Sequence, residues 1–388
     1  MPTLPISALP LPKDEAQAHS RQLGLFIQEK INQNDGWMSF ADFMQMALYE
    51  PSLGYYSGGA KKFGMGGDFV TAPEISPLFA QTLANQAVQV LVDTQGDILE
   101  LGAGTGKLAA DLLITLQALN QLPERYCILE VSAHLRQVQQ ETIQKLLPEN
   151  LMRRVVWLET LPIDFVGLIF GNEVLDAIPV HLIYNSQSHL TERGVAFEHG
   201  FVWQDKQVSS TDLVDYVSAY ALPSDYLTEV CPAAVGLMRS LAHSLERGVI
   251  LMVDYGFSAR EYYHPQRNMG TLMCHYQHYA HTDPLINVGI QDITSHVDFT
   301  RIARAGLDNG LQLSGFCSQA QFLMNCGILD IMSQVSPHEM SLYAPLAAAA
   351  QKLLSPAEMG DLFKVIAFSK NIEQPLIGFS SGDKSHTL

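Results

Sequence analysis

Short apolar runs alternate with amphipathic stretches through the middle of the chain, and that alternation predicts a parallel sheet covered by helices. Buried strands are expected at residues 97–101, 126–131, 155–158, 166–170 and 249–253, each a brief run dominated by Ile, Leu, Val or Phe. Residues 105–119 and 133–147 carry the 3.6-residue period of helices between them. Strands separated by helices pair in parallel through right-handed crossovers, so the expected fold is a doubly wound α/β sheet. Residues 363–368 form a plausible last strand. Upstream, residues 16–30 read as a helix with Leu23, Phe26 and Ile27 on one face, and Ser39 as the N-cap of a second helix ending at Leu48. A third helix is expected over 79–92.

The pattern breaks in three places. Residues 51–77 are rich in Gly, Pro and Ser with Tyr55, Tyr56 and Phe63 among them, which reads as a functional lid. Residues 181–203 alternate like β-structure around an Arg193-Gly194 turn, a hairpin insertion over about 181–210. Residues 255–310 are rich in His and aromatics, a second lid. The expected organisation is an N-terminal helical region with its lid at 1–95, an α/β core at 96–254, and the second lid at 255–310. Residues 311–372 complete the sheet, and 373–388 form a frayed tail.

Composition narrows the partners. The chain has 388 residues, 47% of them hydrophobic, and a formal net charge of -17. That charge disfavours nucleic acid, whose binding depends on Lys and Arg neutralising phosphates; it favours a cationic substrate such as a Lys- or Arg-bearing peptide. Cys127, Cys231, Cys274, Cys317 and Cys326 are scattered and odd in number, a reduced-compartment pattern. Residues 1–15 lack the features of a signal or transit peptide, and no stretch is apolar enough to span a bilayer. A cytoplasmic protein with no integral membrane segment is expected.

The chemistry centres on Glu100-Leu101-Gly102-Ala103-Gly104-Thr105-Gly106, a strand end, a glycine turn and a helix start. Glycines allow the backbone to turn tightly against a ligand, and the helix aims N–H groups at it. The spacing is neither the G-x-G-x-x-G of a dinucleotide site nor the G-x-x-x-x-G-K-[ST] of a phosphate loop. An acid inside the strand suits a ligand with a positive amino group, which points to S-adenosylmethionine. Glu130, about two dozen residues beyond Gly106, can accept both ribose hydroxyls from a strand end, with Val131 and Ser132 beside it. Glu100, Gly102, Ala103, Gly104 and Gly106 complete the expected cofactor contacts on the core.

Asn172-Glu173 and Asp176 follow the strand at 166–170 directly. Carboxylates at Glu173 and Asp176 can clamp a guanidinium, with Asn172 orienting, so these three are the candidate catalytic residues. From the first lid, Gly67, Asp68, Thr71 and Glu74 are candidate cofactor contacts. In the second, Cys274, His275, His278 and His281 invite a zinc reading. Paired cysteine spacings are missing, and His–carboxylate networks explain the same residues, so no metal is expected.

Together these motifs resemble the MidA-like family of class I S-adenosylmethionine-dependent methyltransferases, whose mitochondrial members assist complex I assembly. The resemblance is carried by Leu53-Gly54-Tyr55-Tyr56, by residues 67–79, by the Glu100 to Gly106 turn and by Ile128-Leu129-Glu130. Asn172-Glu173 with Leu175-Asp176-Ala177, then residues 270–276, 291–294 and 296–299, complete it. It implies a Rossmann-like, seven-stranded sheet with a helical N-terminal addition and inserted lids. It also implies cofactor contacts at Gly102, Gly104, Gly106, Glu130 and Asn172, and methyl transfer to a protein arginine. A complex I subunit is one acceptor this suggests, and a homodimer is compatible with it. The alternative is a catalytically silent assembly chaperone that retains the cofactor fold.

Overall fold

A computed structural model describes residues 3–58, 71–186, 189–220 and 222–388. The chain gathers into two compact units. One, the sheet unit, comprises Val70–Val174, Leu237–Ser258 and Val297–Leu388; the other comprises Met1–Phe69, Leu175–Gly236 and Ala259–His296.

The sheet unit holds seven main strands: β1 (Asp97–Leu101), β2 (Tyr126–Leu129), β3 (Val155–Leu158), β4 (Phe165–Asn172), β5 (Leu245–Phe257), β6 (Gln312–Ser318) and β7 (Phe363–Lys370). Their order is β6-β7-β5-β4-β1-β2-β3. β7 is antiparallel to both neighbours, and the strands from β5 to β3 run parallel. A short strand, Val297–Asp298, also pairs with β5. Helices Leu78–Thr94 and Lys107–Ala118 bury their apolar faces in one core with the inner strands. Every residue of β1 is buried, the acids Asp97 and Glu100 included, which is why its sequence does not alternate between apolar and polar positions. The expected doubly wound, seven-stranded sheet is present. β6 had no clear sequence signal, because Gln312, Ser314 and Gly315 interrupt its apolar residues.

The second unit is not purely helical. Helices Asp14–Gln33 and Phe40–Tyr49 share a core with a five-stranded sheet built from Met38–Ser39, Leu190–Phe197, His181–Asn185, Tyr226–Val230 and Phe201–Gln207. Ser39 caps the second helix as expected, its hydroxyl oxygen accepting from the Asp42 N–H at 3.1 Å. A three-stranded sheet, Tyr279–His281, Met273–Tyr276 and Asp292–Thr294, occupies the His-rich segment. There Cys274 is fully buried and lies opposite His281 and Ile293.

Two expectations fail. Arg193-Gly194 is no turn but the middle of strand Leu190–Phe197. Gly194 is there because Ser39 lies opposite it and a Cβ would fall 2.2 Å from the Met38 carbonyl oxygen. The frayed tail is packed: Phe379 is buried against Phe322, and Gly378 N–H donates to Gln86 at 3.0 Å. Its polar composition hid two apolar anchors, Leu376 and Phe379.

Candidate functional site

Parallel strands that share a register end in a row. Leu101 lies opposite Leu129 on one side and Gly171 on the other, so the chain segments leaving β1, β2 and β4 start side by side. From β1 the chain continues outward to β2 and β3 and then returns to β4 on the far side. The end of β1 is therefore the topological switch point, where doubly wound sheets bind ligands.

The turn leaving β1 holds Gly102, Gly104 and Gly106 at φ of +58°, +52° and +82°, left-handed values that a side chain would strain. A Cβ at Gly106 would also lie 3.1 Å from the Gln139 Cα. Ala103 is buried within the turn, its carbonyl accepting from Gly106 N–H at 2.7 Å. The Thr105 hydroxyl accepts from Lys107 N–H at 3.3 Å and donates to the Glu74 carboxylate at 2.5 Å. Gly106 brings no side-chain oxygen to cap helix Lys107–Ala118, which leaves the positive end of its dipole facing the turn.

Glu100, within β1, is buried, and the Tyr126 hydroxyl donates to it at 2.7 Å. Burial pushes its pKa up to about 8, against the lowering effect of that hydrogen bond, and the nearby Glu130 charge pushes the same way. Glu130 leaves β2 with Oε1 accepting from Ser132 N–H at 2.9 Å and Oε2 from the Gln139 amide at 2.8 Å. Burial raises its pKa, while bonds from Ser132, Gln139 and Val131 and the charge of Arg136 oppose the rise. Ser132 caps helix Ala133–Leu146, accepting from Leu135 N–H at 3.1 Å, so capping is not the task of Glu130. Val131 is 81% exposed, an apolar side chain left uncovered beside the acid.

At the end of β4, the Asn172 amide nitrogen donates to Glu173 at 3.0 Å. Asn172 Oδ1 is buried with no hydrogen-bond partner among the described residues. Glu173 sits at φ +56° with its N–H bonded to Val253, a strained position for a residue with a side chain. No helix begins after it, which removes capping as the reason for Asn172 or Glu173. Fully buried Asp254 fixes this bend, accepting from Val174 N–H at 3.0 Å and Tyr255 N–H at 2.9 Å.

The structure thus gathers Glu100, Gly102, Ala103, Gly104, Gly106, Glu130, Val131, Ser132, Asn172 and Glu173 at neighbouring strand ends of one unit. Glu74 joins them through Thr105. Thr71 precedes helix Ala72–Ile75, its carbonyl accepting from Glu74 N–H. Asp176 belongs to the other unit, where it is buried and its carbonyl accepts from Ser295 N–H at 3.0 Å. Gly67 and Asp68 lie outside the described residues.

Sequence reasoning missed Asp254 and Gln139. Gln139 had a signal: it stands between Leu135 and Ile143, at four-residue spacing, as the polar member of the buried stripe on its helix. The donor set fits S-adenosylmethionine. Turn glycines leave room beside the backbone, a strand-end carboxylate accepts hydroxyls, and the orphaned Asn172 oxygen can accept from a cationic amino group.

A family model described as "Putative S-adenosyl-L-methionine-dependent methyltransferase" matches residues 82–317. A COG1565 superfamily member from Burkholderia thailandensis, solved bound to S-adenosyl-homocysteine, superposes with a TM-score of 0.95 at 46% identity; the match covers 98% of this chain and 100% of that one. The mitochondrial protein arginine methyltransferase NDUFAF7 homolog of Drosophila melanogaster is 27% identical, over 95% of this chain and 92% of its own. NDUFAF7 of Danio rerio is 28% identical over 85% and 82% respectively. The chain belongs to this family of S-adenosylmethionine-dependent methyltransferases.

Proposed function

We propose that the protein transfers the methyl group of S-adenosylmethionine to an arginine of a protein substrate. The observation that carries this reading is the acidic bend Asn172–Glu173 beside the glycine turn at the switch point, and the names of the NDUFAF7 relatives support arginine as the acceptor. The cofactor supplies an electrophilic methyl group. Glu130 accepts the ribose hydroxyls, Val131 lies against the adenine, and the turn from Gly102 to Gly106 packs along the nucleoside. Asn172 Oδ1 accepts a hydrogen bond from the amino group, and Glu74 with Thr71 flanks the turn. Glu173 holds the guanidinium so that its positive charge stays away from the attacking nitrogen, whose lone pair is then directed at the methyl carbon. Asp176 is the second carboxylate proposed for the acceptor, and a complex I subunit is one candidate substrate.

Comparing the proteomes of wild-type and deletion strains by mass spectrometry tests the acceptor. Loss of methylation at one or a few arginines is expected. Loss confined to another residue type rejects arginine, and full complementation by Glu173→Ala would favour a non-enzymatic assembly role. Glu173→Ala and Asp176→Asn are each expected to lower the methylated fraction at least tenfold in cells, roughly the effect of losing one charged positioning group.

A further inference from the structure

We infer that Gln139 is a positioning residue of the cofactor site, joining the acid that leaves β2 to the glycine turn that leaves β1. The inference rests on the reading that Glu130 and this turn hold S-adenosylmethionine, and it concerns what sets the distance between them.

Gln139 is fully buried on helix Ala133–Leu146. Its amide nitrogen donates to Glu130 Oε2 at 2.8 Å and to the Gly104 carbonyl at 3.2 Å, while its oxygen accepts from the Trp157 indole N–H at 3.0 Å. This orientation is fixed by chemistry. An indole N–H only donates, whereas an ionised carboxylate and a peptide carbonyl only accept, so the amide has one arrangement that satisfies all three. Trp157, on β3, therefore acts as the anchor: it prevents the amide from flipping and keeps both N–H groups aimed at the site.

The backbone makes the same connection. Gly106 comes so near the Gln139 Cα that a Cβ there would lie 3.1 Å from it, and the helix would have to give way to admit one. Leu135 and Ile143, on the same stripe, pack into apolar core, and a leucine between them would satisfy packing alone. A buried amide is retained where its polar bonds have a task. Here both bonds from the amide nitrogen end on groups placed to face the adenosine, and the third, from Trp157, holds the amide in that orientation. Holding Glu130 from behind keeps its outer lone pairs directed at the ribose and favours the ionised form that accepts hydroxyls.

Other charged groups near Glu130 are Arg136, on the same helix and paired with Glu159 just beyond β3, and Glu100, on β1. None supplies the bond that Gln139 makes to Oε2. Without that donor, burial raises the Glu130 pKa further. The carboxylate then protonates at a higher pH, and affinity for the cofactor is lost as pH falls.

The test is calorimetric binding of S-adenosylhomocysteine to the full-length protein at several pH values from about 5.5 to about 8.5. Thermal unfolding without ligand checks the fold of each variant. Gln139→Leu removes all three bonds; Gln139→Glu keeps native size and the acceptor for Trp157 but sets a second carboxylate against Glu130. Both are expected to bind about tenfold or more weakly than wild type near the acid end and to recover part of that deficit near the alkaline end, each variant being compared with wild type at the same pH because Glu100 titrates in this window in all of them. Folded variants with wild-type affinity, or with a loss equal at every pH, overturn the inference. So does failure of both variants to fold, which assigns Gln139 to stability alone. Glu130→Gln separates the two readings. If it binds like wild type, the cofactor placement itself fails; if it binds weakly while the Gln139 variants do not, only the role of Gln139 fails.

Discussion

Glu100 shows how burial of one residue becomes a pH dependence of the whole sheet unit. Unfolded, its carboxyl ionises near pH ~4.3; folded, it keeps its proton up to about pH 8. Between these limits the native state binds one more proton than the unfolded state, so the contribution of Glu100 to stability falls as pH rises through the window and levels off above it. Glu100→Gln copies the neutral form and still offers Tyr126 an acceptor. Its melting temperature should match wild type near pH ~5 and exceed it by a few degrees near pH ~9, and curves that stay parallel would refute this account. Glu173 invites a second residue-scale test. Its left-handed backbone costs roughly 1 kcal/mol with a side chain present, so Glu173→Gly should leave the melting temperature unchanged or higher while methylation in cells is lost. The acids themselves were legible because each stands within or just beyond an apolar run: Glu100 inside β1, Glu130 after Ile128-Leu129 and Glu173 past the end of β4. Asp254 was not, since a lone polar residue in a strand looks the same in sequence whether it meets water or a buried partner, and Gln139 was marked only by its four-residue spacing from Leu135 and Ile143.

Elements were legible where burial imposes a period. β1 and helix Lys107–Ala118 follow from an apolar run, three glycines and a 3.6-residue stripe, and Ser39 marks its helix start by a local bond. Elements defined by distant partners escaped. Gly194 looked like a turn because the strand that approaches it, Met38–Ser39, is far away in the chain. The C-terminal segment looked frayed because its anchoring is made by single residues: Phe379 on Phe322, Lys384 N–H to the Phe316 carbonyl, and Asp383 accepting from Phe316 N–H at 2.9 Å. This packing predicts a stability cost. Phe379→Ala should destabilise the sheet unit by about 3–5 kcal/mol, the usual range for emptying a buried phenylalanine site. Chemical denaturation measures it, and a loss below about 1 kcal/mol would mean that the segment lies on the surface without supporting β6.

Over the whole molecule, neither unit is one continuous stretch: each takes three pieces of chain, so boundaries read in chain order cannot reproduce them. Hydrophobic period reports which residues are buried, not which distant piece buries them, whereas net charge needs no knowledge of the fold. At -17 the protein carries a long-range field that attracts cations, and an arginine-bearing substrate is one. Cofactor binding should respond differently to salt, because the placement proposed for it on Glu130, the turn and Asn172 works through short hydrogen bonds at partly buried groups, which salt screens less than long-range attraction. Raising salt from about 0.05 M to about 0.5 M shortens the Debye length from over 10 Å to a few ångströms. The kcat/KM for a basic arginine peptide should therefore fall severalfold or more, while S-adenosylhomocysteine affinity stays within about twofold. Equal sensitivity of the two would place the effect at the cofactor. If neither changes, the acidity serves solubility, and the acceptor is recognised by local contacts alone.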